Sequence, residues 1–182
     1  IKLAFDHSLA QDEKVMLFGL GVGDVGGVFG TTLGLQERYG SDRVFDIPLS
    51  ENAITGMALG LSIQGFRPIM VHQRLDFFLL AMDQLVNSAA KWHYMFGGTM
   101  NVPIVIRLII GRGWGQGPEH AQSFENIFSS IPGLKVVIPA FPNEAKDLLV
   151  SSIFDKNPVI FIEHRWLHFS EGKVDKNFKI EN

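Results

Sequence analysis

The sequence predicts an α/β protein: a mainly parallel six-stranded sheet with helices on both faces. Three observations carry that expectation. Six short apolar runs, at residues 15–18, 44–45, 68–71, 103–107, 134–138 and 159–162, have the length of buried strands. Segments of helical spacing alternate with them, and that alternation belongs to parallel sheets covered on both sides. The third is the junction Asp46-Ile47-Pro48-Leu49-Ser50-Glu51, where a strand gives way to an apolar helical pattern, Ile54, Met57, Ala58 and Leu61.

Leu3, Phe5 and Leu9 set an opening helix that ends near residues 11–13. The first strand runs into a glycine-rich turn over 19–30. A helix containing Leu33, Leu35 and Tyr39 follows, and Gly40 stops it. The helix begun at Glu51 ends at Gly65. The longest helical pattern spans 76–95, with Phe77, Leu80, Ala81, Gln84, Leu85 and Ser88 recurring on it. A glycine-rich loop over 111–117 follows the fourth strand, and a helix around 123–128 precedes the fifth. A helix from Asn143 to about Phe154 leads to the sixth. One domain is expected over 1–168, with 169–182 a polar tail or linker. Strand order is not readable from these patterns.

At the junction, Ser50 is a favourable N-cap, because its hydroxyl can accept from an amide of the first turn. Glu51 is then placed at the rim of a parallel sheet, where α/β proteins bind ligands. An acid at that place also complements the helix dipole.

Composition excludes several classes. Of 182 residues, 46% are hydrophobic and 19% charged, which suits a globular core. A net charge of -3 without a basic stripe argues against nucleic acid as partner. The chain has no cysteine, so disulfides and thiolate metal sites are out. No apolar run reaches membrane-spanning length; a soluble intracellular protein is expected, cytoplasmic or, in a eukaryote, of the mitochondrial matrix.

Gly21-Val22-Gly23-Asp24-Val25-Gly26 matches the dinucleotide fingerprint after a strand, and Asp46 lies where a ribose-binding acid would. Gly27 and Gly30 prolong the glycine run, so no helix should start where a pyrophosphate needs its N-terminus; a loop approaching another backbone closely is the expectation. His164 and His168 beside Glu163 follow a strand and lack the H-E-x-x-H order of a zinc helix. Capping of the domain edge is expected of them. His120 follows a glycine-rich loop above the sheet, a place suited to a reactive group. There is no G-x-S-x-G elbow and no Walker loop.

A longer series of motifs occurs in one order: Gly26-Gly27-Val28-Phe29, residues 35–40, residues 43–51, Asp83-Gln84 with Asn87, Gly117-Pro118-Glu119-His120, residues 131–137, and Asn157-Pro158-Val159. Together they resemble the pyrimidine-binding domain of the beta subunit of thiamine-diphosphate-dependent 2-oxo acid dehydrogenases, within the transketolase-like group. The resemblance runs from about Leu3 to His168.

It implies roles for particular residues. Glu51 resembles the glutamate that hydrogen-bonds a ring nitrogen of the cofactor's aminopyrimidine, so that the exocyclic nitrogen can take the thiazolium proton. A dry cleft favours the neutral carboxyl and a helix N-terminus the charged one, and the sequence leaves that balance open. Phe77 resembles the aromatic that stacks on the pyrimidine, with Asp76 beside it. Leu49 and Gln73 would line the same pocket. His120 resembles a histidine near the substrate end, binding the 2-oxo acid carboxylate or moving protons. Ile104, Ser152, Asp155 and Asn157 match positions that in some relatives hold a structural potassium ion.

The resemblance also implies an incomplete site. No Gly-Asp-Gly stretch with a downstream Asn, the family's magnesium and diphosphate signature, is present. Magnesium and diphosphate would be held by an alpha-type partner subunit, in a homodimer or heterotetramer whose contact includes the 76–95 helix through Ala81, Ser88, Ala89 and Ala90. The alternatives are a component of a split transketolase-like ketol transferase, or a degenerate interaction module. The latter is motivated by Leu20 and Gly21, which stand where relatives carry an acidic pair.

Overall fold

A computed structural model describes residues 1–113 and 115–178; Trp114, in the glycine-rich loop, and residues 179–182 of the predicted tail lie outside them. The six strands form one parallel sheet: β1 (Val15–Gly19), β2 (Val44–Asp46), β3 (Arg67–His72), β4 (Val105–Ile110), β5 (Lys135–Val137) and β6 (Val159–His164). Their order is β2-β1-β3-β4-β6-β5. The chain steps from β1 outward to β2, then returns to β1's other side as β3, so a topological switch point lies between β1 and β3.

Alternate strand residues feed two cores. Leu17, Ile69, Val105 and Phe161 pack under α1 (Lys2–Gln11) and α7 (Pro142–Phe154), against Phe5, Leu9, Leu149 and Ile153. Phe18, Met70, Ile106 and Ile160 face the other way, against Ala58 and Leu59 of α3 (Glu51–Ile63), and Phe78, Ala81 and Leu85. Short helices α2 (Leu35–Tyr39) and α6 (Glu125–Ser129) complete the connections. The predicted class and the helices on both faces are what the chain adopts.

Four expectations change. β4 starts at Val105 rather than Pro103, since Pro103 brings no amide to a ladder. The 76–95 segment is helical throughout but changes pitch. α4 (Leu75–Phe78) is followed by a 3-10 turn, Leu79–Ala81, then a π-helix, Asp83–Ala89, then α5 (Ala90–Met95). Gly56 of α3 packs beside this widened stretch, where a Cβ would stand 3.4 Å from Gln84 Oε1. Third, Ala81, Ala89 and Ala90 are buried in their own chain, so they are not an intersubunit face. The exposed apolar residues of the same segment are Leu80, Tyr94 and Met95. Fourth, the polar tail is packed down as far as it is described: Lys146 Nζ donates to the carbonyls of Asp175 and Asn177, and Phe178 stacks on His7.

Arg107, fully buried in the middle of β4, pairs with Glu163 of β6, which also bonds His168 Nε2 at 2.9 Å. Burial alone would raise the Glu163 pKa, but the Arg107 charge and the Arg107 and His168 hydrogen bonds outweigh it and hold it down to about 2.

Candidate active site

Because every strand is parallel, the loops that follow β1, β2, β3 and β4 all leave from one edge of the sheet. The predicted site residues come from those loops. Glu51 is the first residue of α3 and is half-buried. α3 is seated on β3 by Thr55, whose hydroxyl lies 3.5 Å from Met70 Sδ. Ser50 occupies the N-cap position, but its side chain makes no cap hydrogen bond. With φ -156° and ψ 69° its backbone departs from the usual cap geometry, and the hydroxyl is not spent on the helix end.

Gln73 follows β3 directly and spans the switch point: its Nε2 donates to the Leu20 carbonyl after β1, 3.0 Å away. That crossing explains Gly21. A Cβ there would lie 2.6 Å from Gln73 Nε2, and the residue has φ +76°. Phe77, one helical turn on, is 39% exposed, and its ring meets His120 edge-on with centroids 5.1 Å apart. Leu49 is 79% exposed. So Gln73, Phe77 and His120 are joined by contacts, and Glu51 and Leu49 stand on the same edge.

The rival motifs have other uses. Among residues 20–34 no helix forms, so the fingerprint glycines offer no N-terminus to a pyrophosphate. Asp46 is a loop tie, its Oδ1 accepting from the Val22 amide at 2.8 Å. His164 caps the 3-10 turn Arg165–Phe169 by accepting from the Trp166 amide, and His168 bonds Glu163. Both histidines therefore serve the domain edge.

The potassium donor set does not fit a cation. The Ile104 carbonyl accepts from Val159 N and the Ser152 carbonyl from Asp155 N. The Asp155 carbonyl takes Arg67 Nη1, and its carboxylate takes Lys135 Nζ at 2.5 Å and both Asn157 nitrogens. Two positive side chains already occupy the place.

Sequence reasoning missed the charged residues around His120. Arg74 is 9% and Asp76 8% exposed. Arg74 Nη2 donates to Gln116 Oε1, and Asp76 Oδ1 accepts from Gln122 N at 3.1 Å and Gln122 Nε2 at 2.8 Å. Burial lowers the Arg74 pKa, with Asp76 opposing that and Arg165 adding to it. The signal was there to read: two opposite charges flanking Leu75 at the end of an apolar strand need partners. A cavity of about 350 Å³ lies away from this group, lined by Phe29, Phe141, Lys146, Glu163, Leu167 and His168 among others. It contains none of the residues just described, and the chemistry rests on the contacts at the strand ends.

Comparison with known proteins agrees with this geometry. Residues 1–168 match the family model described as transketolase, pyrimidine binding domain. The chain belongs to that family. Among relatives of this transketolase-type pyrimidine domain is the pyruvate dehydrogenase E1 component subunit beta of Staphylococcus epidermidis, 44% identical over 98% of this chain and 55% of that protein. The same-named subunit of Bacillus subtilis is also 44% identical over the same shares, and that of Staphylococcus aureus is 42% identical. The chain thus spans about half the length of these relatives. A solved structure titled split gene transketolase, inactive beta4 tetramer, shares the fold with TM-score 0.70 at 18% identity, over 90% of this chain and 49% of that one.

Proposed function

We propose that the chain is the pyrimidine-binding half of a thiamine-diphosphate-dependent 2-oxo acid dehydrogenase, of pyruvate or branched-chain type. It would act as a beta-type component in the cytoplasm with an alpha-type subunit that holds magnesium and diphosphate. The observation that carries the reading is the gathering of Glu51, Gln73, Phe77 and His120 at one edge of the sheet, beside apolar surface this chain leaves uncovered. The 44% identity to pyruvate dehydrogenase beta subunits supports the substrate class.

The residues fit the pyrimidine end of the cofactor. Phe77 offers a half-exposed ring for stacking and Leu49 an exposed aliphatic side chain. Buried polar atoms without partners, Asp76 Oδ2 and His120 Nδ1, lie in the same group. When bound, thiamine diphosphate supplies the acidic thiazolium carbon at which 2-oxo acids lose carbon dioxide. Glu51 would hold and return a proton at a pyrimidine ring nitrogen. Phe77 would fix the ring plane, and Gln73, tied to the Leu20 carbonyl, would close the switch-point side. His120 would face the substrate carboxylate. Nothing here supplies a diphosphate cradle, so the exposed apolar surface is the seat of a second chain, and Leu80, Tyr94 and Met95 extend it.

With the alpha-type subunit present, Glu51→Gln should still assemble but lose most C2-proton exchange, because an amide cannot pass a proton to and fro. Exchange at the wild-type rate, followed by NMR, would reduce Glu51 to a helix-terminal charge.

A further inference from the structure

His120 sits on a segment with little to hold it. The loop before it contains Gly111, Gly113, Gly115 and Gly117, with φ of +124°, +90°, +72° and +73°. Only a single 3-10 turn, Pro118–His120, has regular structure. The imidazole Nδ1 has no hydrogen-bond partner, so the ring is not anchored through that atom. The contact with Phe77 is edge-on and weak by itself, about 1 kcal/mol for such pairs. Something else must keep the ring where Phe77 meets it.

Two side chains from the β3–α4 turn reach across. Arg74 donates to Gln116, four residues before His120; its other arm donates to the Gln73 carbonyl at 2.7 Å, which braces the guanidinium against its own backbone. Asp76 accepts both from the backbone and from the side chain of Gln122, two residues after His120. Both anchors are nine-tenths buried, and hydrogen bonds to charged groups are roughly twice as strong as neutral ones. The segment is thus pinned on each side of His120 by a charge.

We propose that Arg74 and Asp76 are positioning residues for His120, clamping the 116–122 segment so that the imidazole is held against Phe77. The inference rests on the reading of His120 as part of the site. The five residues 73–77 then serve two ends of one site. Gln73 and Phe77 line the pyrimidine pocket, while Arg74 and Asp76, between them, set the substrate-side histidine in register with it.

The chain alone provides the first test. The His120 ring signal, identified with His120→Gln, is shifted by the Phe77 ring current, which Phe77→Leu removes. Gln116→Ala and Gln122→Ala cut the clamp at exposed or half-exposed loop positions and leave the packed charges in place. In the double variant the His120 signal should lose most of the Phe77 shift, while Asp76→Asn, which still accepts from Gln122, should keep it. A His120 signal unmoved in the double variant, with the amide spectrum otherwise native, overturns the proposal. In the enzyme assembled with its alpha-type partner, Gln122→Ala should lower 2-oxo acid turnover about tenfold through misplacement of one group, yet leave C2-proton exchange, which needs Glu51, at the wild-type rate. Equal loss of both would also overturn it. If exchange is absent even in wild type, the cofactor reading fails while the ring-current result stands by itself.

Discussion

Replacing His72 with phenylalanine should remove a specific acid sensitivity of the fold. His72 ends β3, is 1% exposed, meets Phe78 edge-on at 5.1 Å, and neither ring nitrogen has a hydrogen-bond partner. Burial pushes its pKa from 6.5 down to about 4. The folded chain keeps the ring neutral while the unfolded chain takes up a proton near 6.5. Between those values the unfolded state binds more protons, so stability falls as pH drops through this window and levels off below about 4. The full effect is about 3 kcal/mol, of which about 2 kcal/mol is lost by about pH 5. Glu163, held down to about 2, does not titrate there. With a urea slope of about 2 kcal/mol per molar, the wild-type midpoint should drop by about 1 M between about pH 8 and pH 5. His72→Phe keeps an aromatic ring against Phe78 without a titrating nitrogen, and its midpoint should move far less. Equal drops in both proteins would refute the reasoning, as would a His72 signal that titrates near 6.5 in the folded chain.

Isothermal calorimetry should detect negligible binding of thiamine diphosphate and magnesium to the chain alone; micromolar, magnesium-dependent binding would sink the half-site reading. Arg107→Met, which strands Glu163 with only His168 as partner, should cost about 4 kcal/mol in chemical denaturation, and a loss below about 1 kcal/mol would mean the pair is wetter than its burial implies. Gly133→Ala should cost roughly 3 kcal/mol, since its φ is +96° and a Cβ would fall 1.9 Å from the Ala90 carbonyl oxygen; thermal melting measures it, and an unchanged midpoint would count against that close approach.

What was legible in the sequence follows from local physics. Apolar runs bounded by glycine and proline mark strands wherever the chain folds, so all six were visible, as was the junction at Glu51. Strand order was not, because no local pattern says which neighbour a parallel strand selects. Arg107 was half legible. A guanidinium in the run Val105-Ile106-Arg107-Leu108-Ile109-Ile110 has to be paired, and Glu163 in Phe161-Ile162-Glu163 is the matching oddity. The clamp at Arg74 and Asp76 depends on a loop folding back from more than 40 residues away, and sequence spacing carries no trace of that. Ser50 shows the reverse error: its type suits a cap, but the turn holds its backbone at angles that keep the hydroxyl from the amides.

The change of pitch in the 75–95 rod has a consequence for engineering and for divergence. A π-turn holds one residue more than an α-turn, and each residue advances the side-chain direction by about 100°. The Asp83–Ala89 stretch therefore sets the angular phase between Leu80 on one side of it and Tyr94 and Met95 on the other. Deleting a single residue within it could restore a regular helix at small cost to the backbone, yet would swing the distal pair about a quarter-turn away from Leu80. Length at this point of the rod is thus a dial for the direction in which the surface looks, separate from the residues that make it up.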